Sequence, residues 1–228
     1  MTHHDLGTLA NMIERWRVET NTKHFNINVR EMMLILEDVW KILRLKVTGI
    51  AVTLRRVEKY GDYILRHNYN RITLLQHTRV CRLYLVGCTI FADSTDGTVP
   101  TIYLQLLEDM EAVGQYAWSA AALAFLFRAL SKVVCPDHQH LSGSTTLLLV
   151  IWTPYDDYHD LGEETEEDKD YDLIVHQITL CRKYPICGNI CEGYIPNRVL
   201  RQLGLHQGIL ADPLQWERRE RKRKRTEN

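Results

Sequence analysis

Four side chains toward the C-terminal end, His176, Cys181, Cys187 and Cys191, are of the types that bind zinc, whose preferred ligands are thiolate sulfur and imidazole nitrogen. Their spacing does not complete a site. A zinc ribbon or knuckle needs a second close pair, and on one strand Cys187 and Cys191 would share a face about 13 Å apart. They read as buried free thiols, and Cys81 and Cys88, which fit one face of a helix, read as core too. Asp137, His138 and His140 are the parts of an acid–base or metal site, but Pro136, Ser142 and Gly143 mark a loop there, and no nucleophile is fixed beside them. The run 156–172 holds ten Asp or Glu against one Lys. It lacks the repeated Asp spacing and closing Glu of a calcium loop, so it reads as a flexible, solvated insertion. No catalytic, cofactor-binding or metal residue is assigned.

Other residues suit contact. Tyr155 and Tyr158, beside Trp152, together with Arg198, Arg201 and Gln202 are candidates for a partner surface, because aromatic and Arg side chains dominate binding hot spots. The alternative puts Trp152 and Tyr155 in the core and pairs the arginines with the acidic run. Arg218, Arg219, Arg221, Lys222, Arg223, Lys224 and Arg225 form a block of the kind nuclear import receptors read. The same charge would draw nucleic acid phosphates nonspecifically.

The elements that must position these residues centre on residues 101–134, read as one long helix. Its densest part, 117–127, is apolar or aromatic except for Ser119, so it belongs inside a core. It is too short to cross a bilayer, which takes roughly 20 apolar residues. The chain has 228 residues, 45% of them hydrophobic and 25% charged, within the ordinary globular range. Its net charge of −1 hides a basic tail on an acidic body. The first residues lack the apolar core of a secretory signal, so six reduced cysteines are expected.

In order, the pattern gives a helix capped by Asp5 and reaching Arg17, two short strands at 22–28 and 31–35, and a helix over LEDVWKILRL. Further helices are expected at 54–68 and 72–91, with a loop at 93–100. The segment 145–152 suits a helix end or a buried strand, and 173–180 and 186–195 suit strands. A helix should then start at Pro196 and stop at Gly204. The predicted fold is mainly α (α+β): a compact helical domain around a buried central helix, with a small hairpin near the N-terminus and short strands near the C-terminus. It would span residues 1–215, with a disordered basic tail at 216–228.

The blocks ERWRVETNTKHFNINVREMMLILEDVWKILRL, RLYLVGCTIF, YLQLLEDMEAVGQYAWSAAALAFLFRAL, IWTPYDDY and IPNRVLRQLGLHQ, in that order, resemble the plant mobile domain family of Maintenance of Meristems-like proteins, sometimes labelled aminotransferase-like. The resemblance implies a non-enzymatic nuclear interaction protein of transposon-related origin. It would act in transposon silencing, gene expression and meristem maintenance, with a serine/threonine phosphatase of the type 7 class and other nuclear proteins as partners. A DNA-binding remnant of a transposon protein and a degenerate copy without function are the alternatives. The aminotransferase label fails chemically: no Gly-rich phosphate loop precedes a helix, and the lysines outside the tail sit in charged or helix-surface contexts. Arg30 and Arg44 stand where the family usually has Gly, and Ile35 stands where a Thr would cap a helix. Relative to the family pattern, segments are missing between Thr53 and Tyr63 and between Val150 and Ile151, as in a shortened copy.

Overall fold

In the computed structural model, residues 3–17, 23–27, 30–54, 72–92, 99–135, 140–150 and 166–208 are described. Around helix α4 (Trp118–Val133) the interior closes: Ala121, Ala122, Leu123, Ala124, Leu126, Phe127 and Leu130 have no solvent contact. Small alanines let neighbours approach while Leu and Phe fill the gaps between them. Ser119, the polar exception, donates its hydroxyl to the Leu45 carbonyl, and its backbone N–H reaches the Lys46 carbonyl at 3.1 Å. A buried hydroxyl is thus satisfied where the start of α4 meets residues 45–46.

The long helix expected over 101–134 is instead broken. Two 3-10 turns, Thr101–Leu107 and Ala112–Gln115, precede α4. Asp109 accepts the N–H groups of Glu111 and Ala112, a local competitor of helical bonding. Ile50 then pairs with the backbone of Gln115 and Ala117 at 2.8 and 2.9 Å, drawing that stretch straight. Gly49 permits the approach: at φ 135° a Cβ would stand 2.1 Å from the Gln115 carbonyl oxygen.

The N-terminal half forms α1 (His3–Arg15), β1 (Trp16–Arg17), β2 (His24–Ile27), β3 (Arg30–Met32) and α2 (Leu36–Leu43). The antiparallel order β1-β2-β3 aligns Trp16, Phe25 and Met32 across the sheet. Trp16 packs on Phe25 and on Phe127 with centroids 4.7 and 5.5 Å apart, seating the sheet on α4. Two expectations fail here. The first helix begins at His3, so Asp5 lies inside its first turn, and Trp16 and Arg17 leave it to form β1.

Helix α3 (Ile72–Thr89) falls where expected, and residues 145–152 resolve as helix α5 (Thr146–Val150) as far as they are described. The acidic run departs from expectation, since α6 (Glu166–Thr179) makes its last residues helical and also replaces the strand expected at 173–180. Tyr171, Val175, Ile178 and Thr179 recur at helical spacing on the face turned inward, and the acidic start suits the positive end of the helix dipole. Strands β4 (Ile186–Cys187) and β5 (Ile190–Cys191) form a tight hairpin, so Cys187 and Cys191 do not share one strand as expected. The helix expected after Pro196 is two 3-10 turns, Pro196–Arg198 and Leu200–Leu203. The Gln207 side chain takes the Leu200 N–H and the Asn197 carbonyl, splitting the segment, while Gly204 ends it in the left-handed conformation. The fold is mainly helical with short antiparallel strands near both ends. Among the described residues no helix is long and apolar enough to cross a membrane. The helix expected at 54–68, both inferred gaps and the tail lie largely or wholly outside the described residues.

Candidate interaction surface

Among the described residues, three polar clusters could in principle do chemistry, and in each the charged groups are committed to one another. In the first, Glu192 is buried and accepts Arg128 Nε at 2.8 Å, with Lys23 Nζ at 3.3 Å. Lys23 also reaches Ser131 Oγ at 3.0 Å, a serine–lysine pairing of the kind that can activate a nucleophile. Here the Ser131 hydroxyl donates to the Phe127 carbonyl at 2.7 Å and accepts from Trp16 Nε1, while Glu192 holds the ammonium. The cluster locks β2, α4 and the β4–β5 hairpin together.

In the second, Arg198 donates twice to Glu31, from Nε at 2.7 Å and Nη2 at 2.5 Å, with His24 Nε2 at 3.8 Å. The guanidinium holds the Glu31 carboxyl below the usual carboxylate range despite partial burial. In the third, Glu37 receives Lys41 Nζ at 2.7 Å and faces His176 Nδ1 at 3.1 Å. Burial alone would raise the Glu37 carboxyl, but the bonds from Lys41 and His176 outweigh it and keep it low.

The thiols are scattered. Cys187 is buried, and desolvation pushes it up to about 12, so it is protonated at neutral pH. Cys81 and Cys88, expected in the core, are exposed, as are Cys135 and Cys181. His140 is exposed, while Asp137 and His138 lie outside the described residues. Among the described residues no three His, Cys, Asp or Glu side chains converge as metal ligands.

Of the residues read as a partner surface, Gln202 is spent internally: its amide oxygen takes the Met33 N–H and its amide nitrogen donates to the Met33 carbonyl, both at 3.0 Å. Arg198 does pair, with Glu31 in place of the acidic run. Arg201 remains exposed, and Tyr155, Tyr158 and the basic residues from Arg218 to Arg225 lie outside the described residues.

Among the described residues, one run of exposed apolar side chains lies on α3. Val80, Tyr84 and Leu85 are 61%, 62% and 60% exposed, with Cys81 and Cys88 on the same side. Neighbouring positions seat the helix: a Cβ on Gly87 would meet Val99 at 2.3 Å, and Arg79 Nη2 donates to the Glu108 carbonyl at 2.7 Å. Beside the helix lies a groove of about 380 Å³ walled by Leu43, Leu45, Val86, Leu107 and Trp118, with Leu85 and Arg82 among its lining. Sequence reasoning missed this face because Cys81 and Cys88, which fit one face of the helix, read as core. The stripe Cys81, Tyr84, Leu85, Cys88, at intervals of three and four, was the available signal. An open stripe beside an apolar groove can take up a partner's apolar side chains.

Protein MAIN-LIKE 2 of Arabidopsis thaliana is 36% identical over 180 residues, covering 66% of this chain and 26% of the relative. Protein MAINTENANCE OF MERISTEMS, from the same plant, is 34% identical over 170 residues, or 61% of this chain and 35% of the relative. A serine/threonine-protein phosphatase 7 long form homolog of that plant is 26% identical over 297 residues, spanning 91% of this chain and 22% of its own length. The chain thus spans between 22% and 35% of these relatives. An alignment of 297 residues against a chain of 228 leaves at least 69 positions without a counterpart here, which fits a shortened copy. No solved structure matches the chain. The plant mobile domain model matches residues 61–154, which take in α3, α4, α5 and the 3-10 turns between, so the helical heart described above is what that model recognises. On these matches the chain belongs to the plant mobile domain family.

Proposed function

We propose that this chain is a non-enzymatic nuclear interaction domain of transposon-related origin, acting in transposon silencing, gene expression and meristem maintenance with a type 7 serine/threonine phosphatase as partner. The observation that carries this reading is the contrast between its polar and apolar surfaces: the clustered ionisable groups are spent on one another, while α3 presents an apolar face to solvent. A catalyst needs a group left free to react, whereas a contact module needs an open surface. The names of the relatives support the meristem role and the link to the phosphatase class. The basic block at Arg218 to Arg225 supports nuclear import, with nonspecific nucleic acid contact as a by-product.

The test is expression of the tagged chain in plant cells, with imaging and affinity recovery. Nuclear signal that is lost on deleting residues 216–228, together with recovery of a type 7 phosphatase, is the expected outcome. A cytoplasmic chain that recovers no such phosphatase would overturn the reading.

A further inference from the structure

We infer that the outer face of α3 seats a short amphipathic helix of a partner protein, with a carboxylate on the flank of that helix set against Arg82. The inference rests on the interaction-domain reading and names the surface and the chemistry of its occupant. Val80, Cys81, Tyr84, Leu85 and Cys88 recur at intervals of three and four, the spacing that presents one continuous seam to a second helix. The adjoining groove, walled by Leu43, Leu45, Leu107 and Trp118, extends that seam with a recess into which a large apolar side chain can insert.

Size argues for a helix and against a second copy of this chain. From Val80 to Cys88 the stripe runs about 12 Å at ~1.5 Å per residue, and a helix is ~10 Å across. A strip of roughly 120 Å² is far below the ~800 Å² per partner of a standard interface between folded bodies. It matches the footprint of about two helical turns.

Charge selects the occupant. Helix α3 carries His77, Arg79 and Arg82 and no Asp or Glu in its 18 residues. Arg79 is engaged by the Glu108 carbonyl. Arg82 lines the groove, is exposed, and makes no hydrogen bond or ion pair among the described residues. A guanidinium beside an apolar recess is matched by a carboxylate, which it can hold with two parallel hydrogen bonds. The occupant is therefore acidic on its flank and apolar on its face.

Fluorescence polarisation with the purified full chain tests this. The probe is a labelled synthetic helix of ~15 residues with Leu at i, i+3, i+4 and i+7 and Glu on its flanks, and its twin carries Lys for Glu. The Glu helix is expected to bind, with Leu85→Glu or Val80→Glu weakening it at least about tenfold at unchanged melting temperature. Arg82→Glu should weaken the Glu helix about fivefold and strengthen the Lys helix. Leu173→Glu, an exposed apolar site on α6, should change nothing. Absence of binding, equal binding of the two helices, or indifference to Leu85→Glu would overturn the inference. So would self-association of the chain that Leu85→Glu abolishes, because a second copy would then be the occupant. If Leu85→Glu still recovers the phosphatase from plant nuclei as well as the native chain does, the face is wrong while the functional reading stands.

Discussion

Arg198 and Glu31 lie 167 positions apart in sequence and are joined by two hydrogen bonds of 2.7 and 2.5 Å, which tie the C-terminal 3-10 turns to the N-terminal sheet. The same two segments meet again where Gln202 brackets Met33. Fork geometry makes this the strongest class of exposed ion pair, but water still screens it. Arg198→Ala is expected to cost about 1 kcal/mol of unfolding free energy by urea titration. An unchanged midpoint would remove the pair from the set of contacts that hold the ends together.

The pH dependence follows from Glu31 and Glu37, both held below their ordinary value of 4.5. At acid pH the unfolded chain therefore binds protons more readily than the folded one, so stability rises with pH through this window. The contribution is complete above about 4.5 and is lost as pH falls through the lowered folded values. Urea titrations between about pH 6 and about pH 3 should show a shallower acid limb in Glu31→Gln than in the native chain. Parallel limbs would contradict the assignment.

Glu192 neutralises Lys23 and Arg128 where the carboxylate is only 7% exposed. Removing one member of such a cluster leaves charge without compensation. Glu192→Ala is expected to destabilise by about 3 kcal/mol, seen as a fall in melting temperature. A change below about 1 kcal/mol would mean that water reaches the two cations.

Arg44 holds φ 51°, the left-handed region, immediately after α2, where the resemblance to the family leads one to expect Gly. An L-residue there costs roughly 1–2 kcal/mol, partly offset by the guanidinium stacked 5.3 Å from the Trp40 ring centroid, worth ~0.5–1 kcal/mol. Arg44→Gly should therefore stabilise by about 0.5 kcal/mol, read as a higher urea midpoint. A lower midpoint would show that the stacking outweighs the strain. The neighbouring departure, Ile35, has no oxygen to cap α2, and only the reciprocal bond of a capping pair remains, with Asp38 accepting the Ile35 N–H at 2.9 Å.

Thiol labelling reads the burial pattern directly. Cys81, Cys88, Cys135 and Cys181 are exposed and should react with iodoacetamide in the folded chain, while Cys187 is buried with its thiol pushed up to about 12 and should react only after denaturation. Fast labelling of Cys187 would mean that the β4–β5 hairpin opens.

The core and the local order of elements were legible in the sequence, because the alanine-rich stretch of α4 and the period of α2 are set by local pattern. What was not legible depended on distant partners. The backbone of Ile50 straightens residues 115–117, and Gln207 splits the turns after Pro196. Helix α6 was hidden by its charge: acidic density reads as solvated chain, yet Tyr171 anchors it by accepting the Val47 N–H at 2.9 Å and packing edge-on to Trp40 at 4.7 Å. The exposed side of α3 escaped notice because residue type alone does not say which of two apolar faces is covered. Of the residues first read as a contact surface, Arg198 and Gln202 serve the fold.

Hydrogen–deuterium exchange of this chain mixed with a type 7 serine/threonine phosphatase tests the central claim most directly. Slowed exchange is expected in peptides spanning Ile72–Thr89 relative to the chain alone. Protection elsewhere with α3 unchanged, or no change on mixing at all, would contradict it.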